Sequence, residues 1–301
     1  MKILVIFTGG TIGSSVSDGA ISPNRYTKFF LINDFYDRYG KICEFLCREP
    51  CFALSENLNA DTLNKLVSEV KSAMSEDFDG MIVTHGTDTL QFSAAAVAFA
   101  ARDTKFPIVF VSSNHPLTDK RANGRDNFKA AVEHIISGGE SGVYIAYKNS
   151  DSAACIIPAN RAYTFLEDDD RVFGSKGSVS CDVSDFTFCQ SPEILVISSH
   201  PADGYSYSLK GVGAVLIRPY HSGTLPTESK WLRAFCQRAK KDAVPLFLCG
   251  GAEGVTYESS EKFTELGITA LPHSPFAATY IKLWIGLSRK EDLKNFMKNE
   301  G

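Results

Sequence analysis

Two short runs hold the residues of this chain best suited to chemistry: Thr8-Gly9-Gly10-Thr11-Ile12-Gly13 and Thr84-His85-Gly86-Thr87-Asp88-Thr89. A threonine hydroxyl becomes a nucleophile once a neighbouring group removes its proton. Glycines beside it let a ligand approach the backbone and leave N–H groups unobstructed. Thr11, after Gly9 and Gly10, has that setting. Thr87 and Asp88 form a second polar pair, in which Asp88 either binds a substrate ammonium or orients a base beside Thr87. No His lies in the first run, so phenols and amines are the candidates to activate Thr11. His85 reads as a hydrogen-bonded support of its turn rather than as that base. Phosphate binding is the competing chemistry for a glycine-rich turn, but neither G-x4-G-K-[ST] nor G-x-G-x-x-G occurs.

Each run follows an apolar stretch with strand character, residues 3–7 and 81–83. Both runs are thereby set at the carboxyl end of a strand, where open α/β sheets bind ligands. Residues 13–24, rich in Gly, Ser and Asn, read as a loop long enough for a lid. Leu63, Leu66, Val67, Val70 and Met74 make a helical stripe over 61–74. A strand at 80–84 leads into an Ala-rich, largely buried helix at 90–102. A strand at 107–111, a helix at 125–136 ending at Gly138-Gly139, and paired strands at 143–147 and 154–158 follow.

After a weaker stretch the alternation resumes: strand 213–217, helix 229–238, strand 245–248, and helices at 259–266 and 276–287. A last helix starts at Lys290 behind Ser288-x-x-Glu291, a capping-box pattern. Phe29, Phe30, Phe35 and Tyr36 read as a core helix, and Trp231 and Trp284 as packed in the smaller domain. The expected fold class is α/β: a larger N-terminal domain with a mostly parallel sheet covered by helices, plus a smaller C-terminal α/β domain. The expected bounds are 1–188, a linker at 189–207, and 208–301.

Composition excludes several function classes. The 301 residues carry 31 basic and 35 acidic side chains, a net charge of −4 without strong segregation, which argues against nucleic-acid or anionic-membrane partners. No apolar run approaches the roughly 20 residues of a membrane span, and no signal-peptide pattern precedes the first strand. The expected location is the cytoplasm, where the eight cysteines stay free thiols. Cys43-x3-Cys47-x3-Cys51 lacks a C-x2-C pair and a nearby His, so no metal is expected. The acidic run at 167–170 reads as a solvated loop, and Arg121 and Arg125 as carboxylate binders or ion-pair partners at a helix start.

Taken together, the two runs resemble the two signature motifs of the bacterial L-asparaginase/glutaminase family, nearer its cytoplasmic type I branch. Ser55-Glu56-Asn57 and Ser113-Asn114-His115-Pro116-Leu117 fit the same pattern, and residues 218–223 and 250–254 fit more loosely. The resemblance implies an amidohydrolase that converts L-asparagine, or a related side-chain amide, to L-aspartate and ammonia. It implies Thr11 as the nucleophile that forms an acyl-enzyme, and Thr87 and Asp88 as members of a second triad completed by a lysine. Backbone N–H groups near Gly10 and Thr87 would hold the oxyanion. Ser55, Glu56 and Asp88 would hold the amino-acid end, with Gly10, Gly86 and Asn114 as further substrate contacts. The resemblance implies no cofactor, an amino-acid amide as the small-molecule partner, and a homodimer or homotetramer.

The chain departs from that family at three positions. Asn160-Arg161-Ala162-Tyr163-Thr164 places Thr164 where the family has its triad lysine. A buried lysine with a lowered pKa can act as a base, which threonine cannot do near neutral pH. Lys148 and Lys176 flank the segment as candidate replacements. Gly19-Ala20-Ile21 puts Ala20 at the family's lid tyrosine, with Tyr26 six residues on as its candidate substitute, and Ala277 stands where many relatives carry a glutamate. Two readings follow: a working amidohydrolase, or an asparaginase-fold protein with weak or no hydrolysis that binds amino acids or regulates.

Overall fold

The computed structural model describes residues 1–10, 12, 14–17, 20–23, 27–150, 152–164, 170–251 and 257–299, the backbone alone at 14–17, 20–23, 27 and 28. It divides into two compact units, residues 1–174 with 183–185 and residues 175–182 with 186–301.

In the first unit, β1 (Lys2–Phe7), β5 (Gly80–Thr84) and β6 (Pro107–Val111) are apolar and buried almost end to end. That is the signature of strands covered on both faces, as parallel sheets require. Between β1 and β5 come the hairpin β2 (Ser14–Ser17) and β3 (Ala20–Pro23), helix α1 (Thr27–Tyr39), strand β4 (Glu44–Arg48) and helix α2 (Ala60–Ala73). Helix α3 (Leu90–Ala100) joins β5 to β6, and α4 (Gly124–Ile136) joins β6 to β7 (Gly142–Tyr147). β8 (Cys155–Pro158), β9 (Ala162–Thr164) and β10 (Val172–Gly174) complete the unit. The main sheet runs β4-β1-β5-β6-β7-β8, parallel except for the antiparallel β7–β8 pair. One face packs Ile3, Val5, Ile82 and Val109 against Leu31 and Phe35 of α1 and Phe128 and Val132 of α4.

Two details differ from the sequence reading, at residues 13–24 and in helix α1. Residues 13–24, read as a loop, contain the antiparallel pair β2–β3, with Val16 in register with Ile21. Asp18-Gly19, a hairpin-turn dipeptide, is the local signal for it. Helix α1 is a half-buried helix rather than a core one: Leu31 and Phe35 are buried, whereas Phe29 and Phe30 are exposed. The cysteines of the 43–51 stretch do not converge, since Cys43 is buried and Cys47 exposed on β4, and no metal-binding cluster occurs among the described residues.

The second unit holds β11 (Ile194–Ser198), β12 (Ala214–Arg218), α5 (Lys230–Lys241), β13 (Leu246–Leu248), α6 (Glu258–Glu261), β14 (Ile268–Ala270), α7 (Phe276–Arg289) and α8 (Leu293–Lys298). Its four strands pair in chain order, all parallel. Leu232 and Phe235 of α5 pack on Val215 and Ile217 on one face, and Leu283 of α7 packs with Leu216 and Phe247 on the other. The stretch 189–207, expected as a linker, contributes β11 to this sheet; its apolar run Ile194-Leu195-Val196-Ile197 pairs with β12.

The helix expected at 259–266 shrinks to Glu258–Glu261. Ser288 does not cap a following helix. Its hydroxyl lies inside α7, donates to the Trp284 carbonyl and accepts from the Cys189 N–H, while Lys290 closes α7 in the left-handed conformation and Asp292 caps α8. Trp284 is buried as expected, but Trp231 is exposed on α5 with the Lys230 ammonium over its ring. No described helix is long and apolar enough to cross a membrane.

β4 is the open edge of the main sheet, and Tyr36 of α1 covers part of it. The Tyr36 hydroxyl accepts from the Phe45 N–H and donates to the Cys43 carbonyl, each at 3.2 Å. These are backbone groups that would otherwise invite a foreign strand. Tyr36→Phe is expected to cost about 1 kcal/mol, read as a lower urea midpoint at unchanged m-value.

Candidate active site

The site is set by the adjacency of β1 and β5. Phe7 is in register with Thr84, so the two threonine-rich runs leave neighbouring parallel strands at the same end of the sheet. The Thr8 hydroxyl donates to the Thr84 carbonyl at 2.7 Å and ties the two exits together. Beyond β1 the chain pairs with Ala53: the Ala53 N–H donates to the Thr8 carbonyl at 3.0 Å, and the Gly10 N–H donates to the Ala53 carbonyl at 3.2 Å. Gly10 has φ +76° and lies against the backbone of Gly86, where a Cβ would overlap the Gly86 nitrogen. Gly86 in turn lies against the Ser55 side chain, leaving no room for a Cβ. Glycine is required at both positions for closeness, and at Gly10 also for its left-handed conformation.

Residues 55–57 form a 3₁₀ turn after Ala53, and this turn presents Ser55 to the second run. The Ser55 hydroxyl donates to Asp88 Oδ2 at 3.0 Å, and the Thr89 hydroxyl donates to the Ser55 carbonyl at 2.8 Å. Ser55 is buried, Thr87 half-buried and Asp88 exposed, so a carboxylate faces solvent from a fixed mount. No described residue hydrogen-bonds the Thr87 hydroxyl. Glu56 is exposed on the same turn. Thr11 and Tyr26 lie outside the described residues, as do 165–169 of the acidic run.

His85 is buried beneath the turn. Its N–H donates to the Val111 carbonyl at 2.8 Å, and its Nδ1 sits 2.8 Å from the Gly86 carbonyl. A carbonyl only accepts, so Nδ1 carries the proton. Burial pushes the His85 pKa below its ordinary 6.5, partly offset by the bond to Gly86 and by Asp88. The ring is a neutral prop for Gly86.

The third strand end brings in Asn114. Asn114 and Asn123 exchange reciprocal hydrogen bonds, backbone N–H to side-chain oxygen, and Asn114 Nδ2 donates to Asp170 Oδ2 at 2.9 Å. The Tyr147 hydroxyl donates to the Asp170 carbonyl at 2.7 Å, so Asp170, exposed as a solvated run would be, is held by two hydrogen bonds.

Thr164 ends β9, and its hydroxyl accepts from Gln91 Nε2 at 3.2 Å. Gln91 stands four residues past Thr87 in the first turn of α3 and is buried. Sequence reasoning misses this residue, although a lone carboxamide among alanines is a readable signal. Lys148 does not reach this place: its ammonium pairs with Asp126 at 2.6 Å. Lys176 belongs to the second unit, as does Ala277, buried in α7. Arg121 and Arg125 pair with Asp119 and Asp34 rather than presenting a carboxylate site.

Glycine-lined backbone, hydroxyls and a mounted carboxylate thus lie together at the carboxyl end of a parallel sheet, the end at which open α/β sheets bind ligands. The family model described as "Asparaginase, N-terminal" matches residues 2–178. A glutamyl-tRNA(Gln) amidotransferase subunit of Methanosarcina acetivorans is 35% identical over 143 residues, 44% of this chain and 32% of that protein. The same-named protein of Saccharolobus solfataricus is 34% identical over 128 residues, 40% of this chain and 28% of that one. The chain thus spans about a third of the length of the curated relatives it matches.

The thermostable L-asparaginase from Thermococcus kodakarensis has a similar fold, with TM-score 0.77 and 20% identity over 99% of this chain and 96% of that one. L-asparaginase I from Vibrio cholerae gives TM-score 0.75 and 18% identity over 98% and 95%. This chain belongs to the asparaginase family, a family of amidohydrolases.

The neutral His85 sets an acid limit on stability. The unfolded ring takes its proton near pH 6.5 while the folded ring resists it, so the contribution is whole above about 6.5 and is lost as pH falls below. Half-buried His134 shifts in the same direction through burial. Between pH 7 and 5, His85→Gln is expected to flatten the fall of unfolding free energy by up to about 1.4 kcal/mol per pH unit, leaving the smaller His134 share. Equal slopes in wild type and variant would refute the assignment.

Proposed function

We propose that this chain hydrolyses the side-chain amide of L-asparagine, or of a related amino-acid amide, to the acid and ammonia through an acyl-enzyme on Thr11. The Thr11 oxygen attacks the amide carbon, the C–N bond breaks, and the threonine proton leaves on ammonia. Water then cleaves the ester and restores the hydroxyl. The observation that carries this reading is the Ser55–Asp88 hydrogen bond beside the apposed Gly10 and Gly86 backbones. It supplies an exposed carboxylate for an α-ammonium next to close-packed glycine backbone. Asp88 and Ser55 then hold the amino-acid end, and N–H groups near Gly10 and Thr87 meet the developing oxyanion. Tyr26 is the proposed phenol for proton transfer. Relatives named as glutamyl-tRNA(Gln) amidotransferase components make L-glutamine the second amide to test.

A second reading has its own observation. Thr164 is bonded to Gln91 and Lys148 to Asp126, so no ammonium stands at the Thr164 position among the described residues. That favours a protein that binds amino acids and hydrolyses them feebly or not at all.

Ammonia release from L-asparagine and L-glutamine separates the two. The hydrolase reading expects turnover that Thr11→Ala abolishes and that Thr164→Lys raises about a hundredfold, the modest end of general-base contributions. The binding reading expects no ammonia from wild type, yet stabilisation by L-aspartate or L-asparagine of about 2.7 kcal/mol at a hundredfold excess over Kd.

A further inference from the structure

We infer that the small cavity beneath the second run is a binding site for one water molecule, which donates a hydrogen bond to His85 Nε2 and so completes the hold on Gly86. The site is independent of which amide, if any, the chain hydrolyses. The cavity measures about 20 Å³ and has Thr8, Cys51, Thr62, Leu66, His85 and Gly86 among its walls. It lies between α2, which carries Thr62 and Leu66, and the exits of β1 and β5. A water needs about 10–15 Å³ of such space. The wall is largely apolar, so the few polar atoms in it fix where a water sits.

His85 gives the site its direction. The residue is 4% exposed. Its Nδ1 stands 2.8 Å from the Gly86 carbonyl, and a carbonyl only accepts. Nδ1 therefore carries the proton, and Nε2 is left as an acceptor. No described residue bonds Nε2. The hydroxyls of Thr84, Ser93 and Ser112 are unpartnered too, but they are sealed by their neighbours, and Nε2 is not. With Nδ1 turned to Gly86, Nε2 is the polar ring atom left to face the cavity.

A buried acceptor calls for a donor. No carboxylate lines the cavity, so nothing there offsets the charge of a cation, and a neutral donor is favoured. The other polar walls suit a water. The Thr8 and Thr62 hydroxyls give their protons to the Thr84 and Asn59 carbonyls, so each keeps lone pairs that accept. Burial pushes the Cys51 pKa up, so its thiol stays an S–H, a weak donor. A water that donates to Nε2 and to a hydroxyl and accepts from the thiol makes the three bonds usual for buried water. Its bond to Nε2 holds the imidazole on the side away from Gly86, so the water helps to position Gly86 through the ring.

The test combines a crystal structure of the full-length protein with nitrogen NMR of its imidazole rings, the His85 signals being assigned with His85→Gln. Spectra are taken at about pH 8, above the ordinary imidazole pKa of about 6.5. An ordered water is expected within about 3.2 Å of His85 Nε2. The ring is expected as the Nδ1–H tautomer, with Nε2 upfield of a free imidazole lone pair because it accepts a hydrogen bond. Cys51→Leu puts a larger apolar side chain into the cavity without touching the proposed catalytic and binding residues. In that variant the water is expected to be lost and Nε2 to move downfield, while Nδ1 keeps its proton. An empty cavity in the wild-type crystal, a proton on Nε2, or an Nε2 signal unchanged by Cys51→Leu overturns the proposal. If Cys51→Leu fails to fold, Cys51→Ser decides: it keeps a polar wall and is expected to retain both the water and the Nε2 shift, and loss of either overturns the proposal.

Discussion

Everything at the site depends on how closely two backbones approach. Gly10 and Gly86 leave neighbouring strands and touch without side chains between them. Three sets of bonds hold that contact: Thr8 to Thr84, Ala53 to Thr8 and Gly10, and His85 to Val111 and Gly86. Each uses a backbone group that the ending ladder leaves free, so the requirement to satisfy buried N–H and C=O groups also shapes the pocket. Ser55 reaches Asp88 only because Gly86 leaves the space that a Cβ would fill.

The charge pattern around this contact is uneven. His85 is kept neutral by burial, and Gln91 and Thr164 form a neutral pair. Lys148 is drawn off by Asp126, while Asp88 and Asp170 remain as carboxylates on rigid mounts. The proposed ligand, an amino-acid amide, brings its own ammonium and an uncharged side-chain end. Among the described residues, Gln91 and Thr164 bond each other and Lys148 bonds Asp126, so no cation is paired at that neutral contact. The same neutrality makes the source of the proton-transfer group the chemical crux of the proposed hydrolysis.

The sequence is legible where one residue type has one physical use. Buried parallel strands read as apolar runs, and β1, β5 and β6 appear where those runs lie. The glycine–threonine runs read as strand exits because flexible backbone and hydroxyls follow a strand each time. Legibility fails where the deciding partner is distant in the chain. Ser288 looks like a cap from local spacing, yet its partners are the Trp284 carbonyl and the Cys189 N–H. Trp231 looks like core because tryptophan usually is, yet its helix turns it outward beside Lys230. The 189–207 stretch looks like a linker because its one strongly apolar run is short, yet pairing with β12 makes that run a strand.

By itself the sequence determined the α/β alternation, the two glycine–threonine runs at strand exits and the family to which they belong, because these depend on local pattern and on residues with few substitutes. Only the tertiary structure decided which groups meet. It placed Ser55 against Asp88 across 33 residues of chain, gave Thr164 to Gln91 across 73, and removed Lys148 to Asp126. The reason is physical: hydrogen bonds and ion pairs form between atoms about 3 Å apart, and sequence spacing does not specify that distance once the chain turns back on itself.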